Sequence, residues 1–570
     1  MDKNEKYLLW RSQAISDADL VDELKSIYEN ENEITERFYK DLSFGTGGLR
    51  GIIGAGSNRI NVYTIGKTTQ GLANFLNKNY KTPKVAIAYD SRIKSDVFSK
   101  EAARILAANN ISVAMYSELM PTPALSFAVR HLNCNAGIVI TASHNPAEYN
   151  GYKVYGEDGC QIANDVADAV LEEINNTDIF NDVKRMDFSD ALNSGLIKYI
   201  GEDDIRAFWD TVSSQTLNKN ISNKEKLKIV YTPLNGAGLR CVTNVLKMND
   251  FSNVTVVESQ EKPDGHFLTC PYPNPEVKEA LCEGLKVCKS CNADILLATD
   301  PDCDRIGIAV KHDGEYKLLS GNEVGVLLFD YICKARRINN TMPQNPVCIK
   351  TIVTTDMLYP IAQKYGVRVI DVLTGFKFIG EQIGLLEKCG NIEQYIFGFE
   401  ESYGYLSGTY VRDKDAVNAA LLICEMTAFY LNQKLTLIDV IDNLYREFGY
   451  YKNALKSFTF VGKSGFEKME AIMAGLRKNP PPQINDRNIV AVYDYLNGVK
   501  ILMHNSNNKE KIDLPPSNVL KFILADNISI VVRPSGTEPK LKVYVSIVSD
   551  SCDNSKKLAD SFCDYFEDWF

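Results

Sequence analysis

Short apolar runs recur along the chain, several of them closed by a polar loop and followed by a helical pattern. KVAIAYDSR (84–92) leads into VFSKEAARILAANN, LKIVYTPLNGAG (227–238) into LRCVTNVLKM, and VCIKTIVTT (347–355) into DMLYPIAQKYG. AGIVITASHNP (136–146) and ADILLATDPDCDR (293–305) are runs of the same kind that end in polar loops. Buried strands alternating with helices predict parallel sheets covered on both faces. In such sheets ligands gather at the carboxyl ends of the strands, so chemistry is expected in the loops after these runs. Residues 1–40 read as polar, charge-rich helix. The C-terminal part reads as α+β, with strand-like NIVAVYDY, NISIVVRP and LKVYVSIVS and a closing helix. KNPPPQ (478–483) is a loop, since its prolines stop any helix.

Pattern changes place soft boundaries near 200–205, 320 and 450–460, which divide the chain into 1–204, 205–320, 321–452 and 453–570. The length of 570 residues agrees with this, at roughly 150 residues per domain. With 45% hydrophobic and 24% charged residues the composition is that of a globular protein. No stretch approaches the ~18 uninterrupted apolar residues of a membrane helix. The start MDKNEKYLLWRSQ lacks the apolar core of a secretion signal. A cytoplasmic protein without a membrane partner is expected, its 14 scattered cysteines being reduced thiols. The net charge of −10 argues against nucleic acid. An acidic protein that handles an anion must concentrate its Arg and Lys in a few loops.

TASHNP, Thr141 to Pro146, ends an apolar strand in a tight polar turn where the Ser143 hydroxyl can be exposed. A Ser-His-Asp hydrolase fits poorly. The G-x-S-x-G elbow is missing, and His144, the direct neighbour, is expected on the opposite face of an extended chain. A serine that accepts phosphate needs a metal and cationic neighbours instead. Asp300-x-Asp302-x-Asp304 supplies the metal candidate. Alternate positions of an extended segment face one way, so three carboxylates would converge and call for a hard divalent cation. An EF-hand fails, since its sixth and twelfth positions hold Arg305 and Lys311. RPSGTEPK, Arg533 to Lys540, offers Arg533, the hydroxyls of Ser535 and Thr537, and Gly536, the inventory of an anion nest. GFEESYGY, Gly398 to Tyr405, sets Glu400 and Ser402 at alternate positions, a pairing suited to sugar hydroxyls. TGFK (Thr374 to Lys377) and NGYK (Asn150 to Lys153) each carry a lysine after a glycine turn. Gly66-Lys67-Thr68 is no P-loop, because Asn61 stands where its first glycine belongs. Cys288-x-x-Cys291 has no second pair near it.

In order, GTGGLRG (45–51), TASHNP, DPDCDR, GFEES and RPSGTEPK resemble the α-D-phosphohexomutase superfamily, the phosphoglucomutases and phosphomannomutases. The resemblance spans nearly the whole chain, and YDSR (Tyr89 to Arg92), PTP (Pro121 to Pro123), PNPE (Pro273 to Glu276) and RDKDA (Arg412 to Ala416) agree with it. GFEESYGY looks closest to the phosphoglucomutase-2 and phosphopentomutase branch. The resemblance implies four domains around a central cleft, three related α/β domains with mixed sheets and a smaller C-terminal α+β domain. It implies a phosphoserine at Ser143 and Mg2+ held by Asp300, Asp302, Asp304 and a phosphoserine oxygen. Arg50, Lys153 and Arg305 would flank the reacting phosphate. Glu400 and Ser402, with Thr374, Gly375 and Lys377, would bind the sugar phosphate, and Arg533, Ser535, Gly536 and Thr537 the phosphate not being transferred. The implied reaction interconverts glucose 1-phosphate and glucose 6-phosphate through glucose 1,6-bisphosphate, with mannose or pentose phosphates as alternative substrates. A metal-dependent phosphatase or a sugar-phosphate sensor could reuse the fold, although the intact serine, carboxylates and phosphate loop argue against a sensor. Gly404 stands where many relatives carry the His of G-E-x-S-G-H, and Tyr410 where muscle-type enzymes carry another His, so neither His role transfers.

Overall fold

The computed structural model describes every residue except 46, 461, 504, 536–539, 568 and 570, and the side chains of 462–463 and 505–508. Four sheets follow one another along the chain, with strands counted among the described residues. The first has six strands, ordered Gly48–Ile52, Tyr149–Gly156, Ala136–Ile140, Lys84–Tyr89, Ser112–Met115 and Ile197–Tyr199. The second has five, ordered Glu315–Leu319, Ile306–His312, Ile295–Thr299, Ile229–Thr232 and Val254–Val256. The third has four, ordered Arg368–Val372, Val347–Thr351, Tyr395–Glu400 and Gly404–Leu406. The last is antiparallel and eight-stranded, with the helices Gly462–Lys478 and Cys552–Glu567.

The apolar runs form the parallel strands of the first three sheets. Each of these sheets is mixed, as the resemblance implies, with antiparallel pairing at one edge. Tyr149–Gly156 pairs antiparallel with Ala136–Ile140, Ile306–His312 with Ile295–Thr299, and Gly404–Leu406 with Tyr395–Glu400. The links between these strands are too short for a crossover, which needs a dozen or more residues, so each chain reverses as a hairpin. Those hairpins are the Ser143 loop, the Asp300–Asp304 loop and the Glu401–Tyr403 turn. The strands Ser529–Pro534 and Lys540–Ser549, which flank the segment after Arg533, pair antiparallel.

One apolar core runs through the first three domains, from Phe127 and Phe208 through Val245 and Leu328 to Leu421. Its axis is the helix Ala416–Leu431, buried along nearly its whole length. The C-terminal sheet has its own core around Phe522, Val543 and Phe562. It meets the third domain through a small cluster that includes Ile352, Leu373, Val519 and Tyr544.

The first 40 residues fold as Lys3–Gln13, Ala18–Ser26 and Glu31–Phe38, capped by Asp2, Asp17 and Asn30. Their apolar faces enclose a cluster of their own. Trp10, 3% exposed, packs edge-on against Phe38, Tyr63 and Phe180 at centroid distances of 5.9, 5.6 and 5.5 Å. Trp10→Ala leaves a hole that neighbouring rings cannot fill, at a cost of about 3–5 kcal/mol. Thermal unfolding of the variant is expected to start well below the wild type; coincident transitions would show that these helices are not anchored through Trp10.

Candidate active site

Ser143 lies in the turn after Ala136–Ile140 and is 3% exposed. Its φ of 53° is left-handed, a conformation that costs a non-glycine residue about 1–3 kcal/mol and persists only where surroundings impose it. The Ser143 amide donates to Thr141 Oγ1 at 2.7 Å, and the hydroxyl donates to Asp300 Oδ2 at 2.9 Å. The turn also corrects the expected separation of Ser143 from His144: Ser143 Oγ is 3.2 Å from His144 Nδ1. Adjacent side chains oppose each other only in extended backbone, and this backbone is not extended. Burial holds the His144 imidazole well below its ordinary pKa, and the nearby guanidinia of Arg305 and Arg50 add to the effect.

Asp300, Asp302 and Asp304 are buried, with one oxygen of each within 4.8 Å of the others. They converge by a different route from the extended alternation expected. The segment is a turn with Cys303 at φ 52°, closed by a bond from the Cys303 amide to the Asp300 carbonyl at 2.9 Å. Strands paired as closely as Thr299 with Ile306 leave no room for an extended segment between them. Asp300 Oδ1 accepts from the amides of Asp304 and Arg305. Thr122 of PTP donates to Asp302 Oδ2 at 3.0 Å and fixes the loop against the first domain.

Burial and the other two carboxylates push Asp300 well above the usual carboxylate range, and burial with the Asp302 charge raises Asp304. Burial alone would raise Asp302 too, but Lys153 at 3.0 Å holds it low. Asp302 Oδ1 and Asp304 Oδ1 are buried and make no hydrogen bond among the described residues. Orphaned carboxylate oxygens beside carboxyls that resist ionisation are what a hard cation would satisfy, so the triad fits a metal ion.

Cations surround the triad from three domains. Lys153 Nζ lies 3.8 Å from Asp304 Oδ2. Arg305 Nε is 3.7 Å from Asp304 Oδ1, and its Nη1 donates to Glu276 Oε1 at 3.3 Å and the Ser402 carbonyl at 3.1 Å. The third cation, Lys414, was not singled out from sequence. It is buried, with Nζ 3.1 Å from Asp304 Oδ2 and 3.0 Å from Asp413 Oδ1, while Asp413 Oδ2 accepts from Tyr155 at 2.7 Å. The available signal was a lysine flanked by two aspartates in RDKDA just before an almost wholly apolar helix.

A cleft of about 1320 Å³ is lined by all four domains. It brings together Ser143, Arg50, Lys153, Arg305, Glu400, Ser402, Thr374, Gly375, Lys377, Arg533 and Ser535. Arg50 donates to Asn145 Oδ1 of the serine loop at 2.9 Å. Lys377, at the start of the helix Phe376–Lys388, reaches Asn164 Oδ1 of the first domain at 2.8 Å. Glu400 is buried; beside it, burial and the Glu400 charge push Glu401 up to about 7. The Thr374 hydroxyl and Arg533 Nε are buried and make no hydrogen bond among the described residues. Gly536 and Thr537 lie outside the described residues.

The chain matches, in order, the phosphoglucomutase/phosphomannomutase alpha/beta/alpha domains I over 41–179, II over 206–314 and III over 320–448, and the C-terminal domain over 484–560. A phosphoglucomutase of Staphylococcus saprophyticus is 36% identical over 535 residues, covering 93% of this chain and 95% of the relative. One from Staphylococcus aureus strain MRSA252 is 38% identical over 534 residues, covering 92% and 93%. Among solved structures, parafusin, a phosphoglucomutase from Paramecium in its open form, superposes with a TM-score of 0.66 at 19% identity, covering 93% of this chain and 96% of that one. A phosphoglucomutase/phosphomannomutase family protein of Burkholderia thailandensis gives 0.65 at 16% identity, covering 92% and 97%. Fold and matches together define an intramolecular phosphotransferase of the isomerase class. The chain belongs to the phosphoglucomutase/phosphomannomutase family, within the α-D-phosphohexomutase superfamily.

The glycine at 404 has a reason in this structure. A Cβ there would stand 2.2 Å from Lys414 Cδ and 2.8 Å from its Cγ, so the lysine stem fills the space a side chain would take. Gly404→Ala is expected to displace Lys414 from Asp304, lowering stability by about 1–3 kcal/mol as overpacking does. Denaturant unfolding measures the loss; wild-type stability in the variant would mean that the lysine stem moves aside without cost.

Proposed function

We propose that the chain is a phosphoglucomutase, interconverting glucose 1-phosphate and glucose 6-phosphate through glucose 1,6-bisphosphate. The observation that carries this reading is the placement of the Ser143 hydroxyl on the carboxylate triad at one wall of a cleft, with Arg533 on another. The phosphoglucomutase relatives, matched over more than nine-tenths of both chains, support glucose as the sugar.

Phosphoryl transfer has a loose transition state, so the protein contributes mainly positioning and charge neutralisation. Phosphorylated Ser143 gives its phosphoryl group to the free sugar hydroxyl, leaving a bisphosphorylated sugar. The sugar turns over in the cleft, and Ser143 recovers a phosphoryl group from the other position. Asp300, Asp302, Asp304 and an oxygen on Ser143 would hold Mg2+, which supplies positive charge to the transferring group. Arg50, Lys153 and Arg305 flank the reacting phosphate. Glu400 and Ser402 take sugar hydroxyls, while Thr374, Gly375 and Lys377 complete the sugar-phosphate site. Arg533 and Ser535, with Gly536 and Thr537, hold the phosphate that stays. Both orientations of the intermediate then meet the same two phosphate subsites.

Ser143→Ala is expected to abolish turnover with the fold intact. After treatment with glucose 1,6-bisphosphate, intact-mass analysis should find one added phosphate on the wild type and none on the variant. Full activity in the variant would falsify the mechanism. Glucose 1-phosphate, mannose 1-phosphate and ribose 1-phosphate, assayed side by side, should all be tested for catalytic efficiency, with glucose 1-phosphate best. A better rate with ribose 1-phosphate would make the chain a phosphopentomutase.

A further inference from the structure

Arg92 lies outside the cleft, yet every N–H of its guanidinium is committed to the serine loop. Nε and Nη2 donate to the Ser143 carbonyl at 3.1 and 2.5 Å, and Nη2 also donates to the Asn145 carbonyl. Nη1 donates to the carbonyls of Pro146 and Tyr149, each at 2.9 Å. These are the five donors a guanidinium possesses, in a planar fork that an ammonium cannot copy. Arg92 is itself buried and fixed on the other side. Asp90 Oδ2 lies 3.6 Å from Nε, and Asp90 Oδ1 accepts from the Arg92 amide at 3.0 Å. The second domain completes the enclosure. The Phe267 ring centroid is 5.2 Å from the guanidinium carbon, and a Cβ on Gly265 would come within 2.4 Å of the Ile93 amide nitrogen.

We propose that Arg92 is a positioning residue for phosphoryl transfer. It locks the backbone on both sides of Asn145 and so holds Ser143 in its left-handed conformation with the hydroxyl on Asp300. The inference rests on the function proposed above. A residue that served only to stabilise the first domain would not need all of its donors on one loop. The stacked Phe267 adds a second consequence: the serine loop is set relative to the second domain, which carries the carboxylates, and not only within its own domain.

Arg92→Lys keeps the charge and loses the fork. Two measurements on the full chain test it. Hydrogen exchange of the amides of residues 143–149 should quicken by roughly tenfold or more, since local opening is what the clamp suppresses. The kcat should fall about 100-fold, the order expected for a nucleophile displaced by an ångström, while KM stays within about threefold because the cleft cations are untouched. Wild-type exchange in the variant overturns the clamp. Faster exchange with wild-type kcat per phosphorylatable active site, or a change in KM alone, overturns the positioning role. If the wild type takes no phosphate on Ser143 from glucose 1,6-bisphosphate, the proposed function fails, and the exchange measurement still decides whether the clamp exists. Where Arg92→Lys does not fold, Phe267→Leu replaces it; a smaller shift in the same two readouts supports the proposal, and wild-type values for both overturn it.

Discussion

Three carboxylates buried within five residues are the constraint on which the rest of this structure depends. A charge in such a position is intolerable unless a partner stands within a few ångströms. Lys153 comes from the first domain, Arg305 from the second and Lys414 from the third. At these separations each contact contributes on the order of 4 kcal/mol at an effective dielectric near 20. Removing one cation would cost about 3–5 kcal/mol, since a buried charge is left unanswered. The relative placement of three domains and the electrostatics of the site are therefore one problem. The apolar core that runs unbroken through the same three domains solves its packing half.

The loops that carry chemistry share one origin. In each of the first three sheets a parallel strand ends, and the chain reverses into an antiparallel neighbour through a short hairpin. The reversal forces residues such as Ser143, Cys303 and Tyr403 into left-handed backbone, at φ 53°, 52° and 63°. Strain of that size is tolerable only where neighbours hold the loop. Arg92 at the serine loop and Thr122 at the carboxylate loop are such neighbours. The C-terminal domain has a separate core and meets the third domain through the cluster of Ile352, Leu373, Val519 and Tyr544 and through Tyr450, which stacks on Tyr445 at 5.7 Å. A domain with a core of its own leaves relative motion as the default expectation.

The sequence by itself determined the parallel strands, since their apolar runs must be buried on both faces. It also determined the chemical inventory, because a serine, three aspartates and a turn carrying Arg533 with hydroxyls and a glycine have their meaning in residue type and spacing. Tertiary structure decided what depends on backbone direction and distant neighbours. The Asp300–Asp304 loop converges through a left-handed turn and not by extended alternation, because the strands flanking it must pair as a hairpin. His144 meets Ser143 for the same reason. Lys414 carried only a faint signal in the sequence, its place between two aspartates in RDKDA, since a lysine is ordinarily a solvated charge; the burial of Asp304 beside it and the space left by Gly404 give it its place. Spacing along the chain fixes which groups are near one another within a loop, whereas burial and charge compensation are properties of the packed whole.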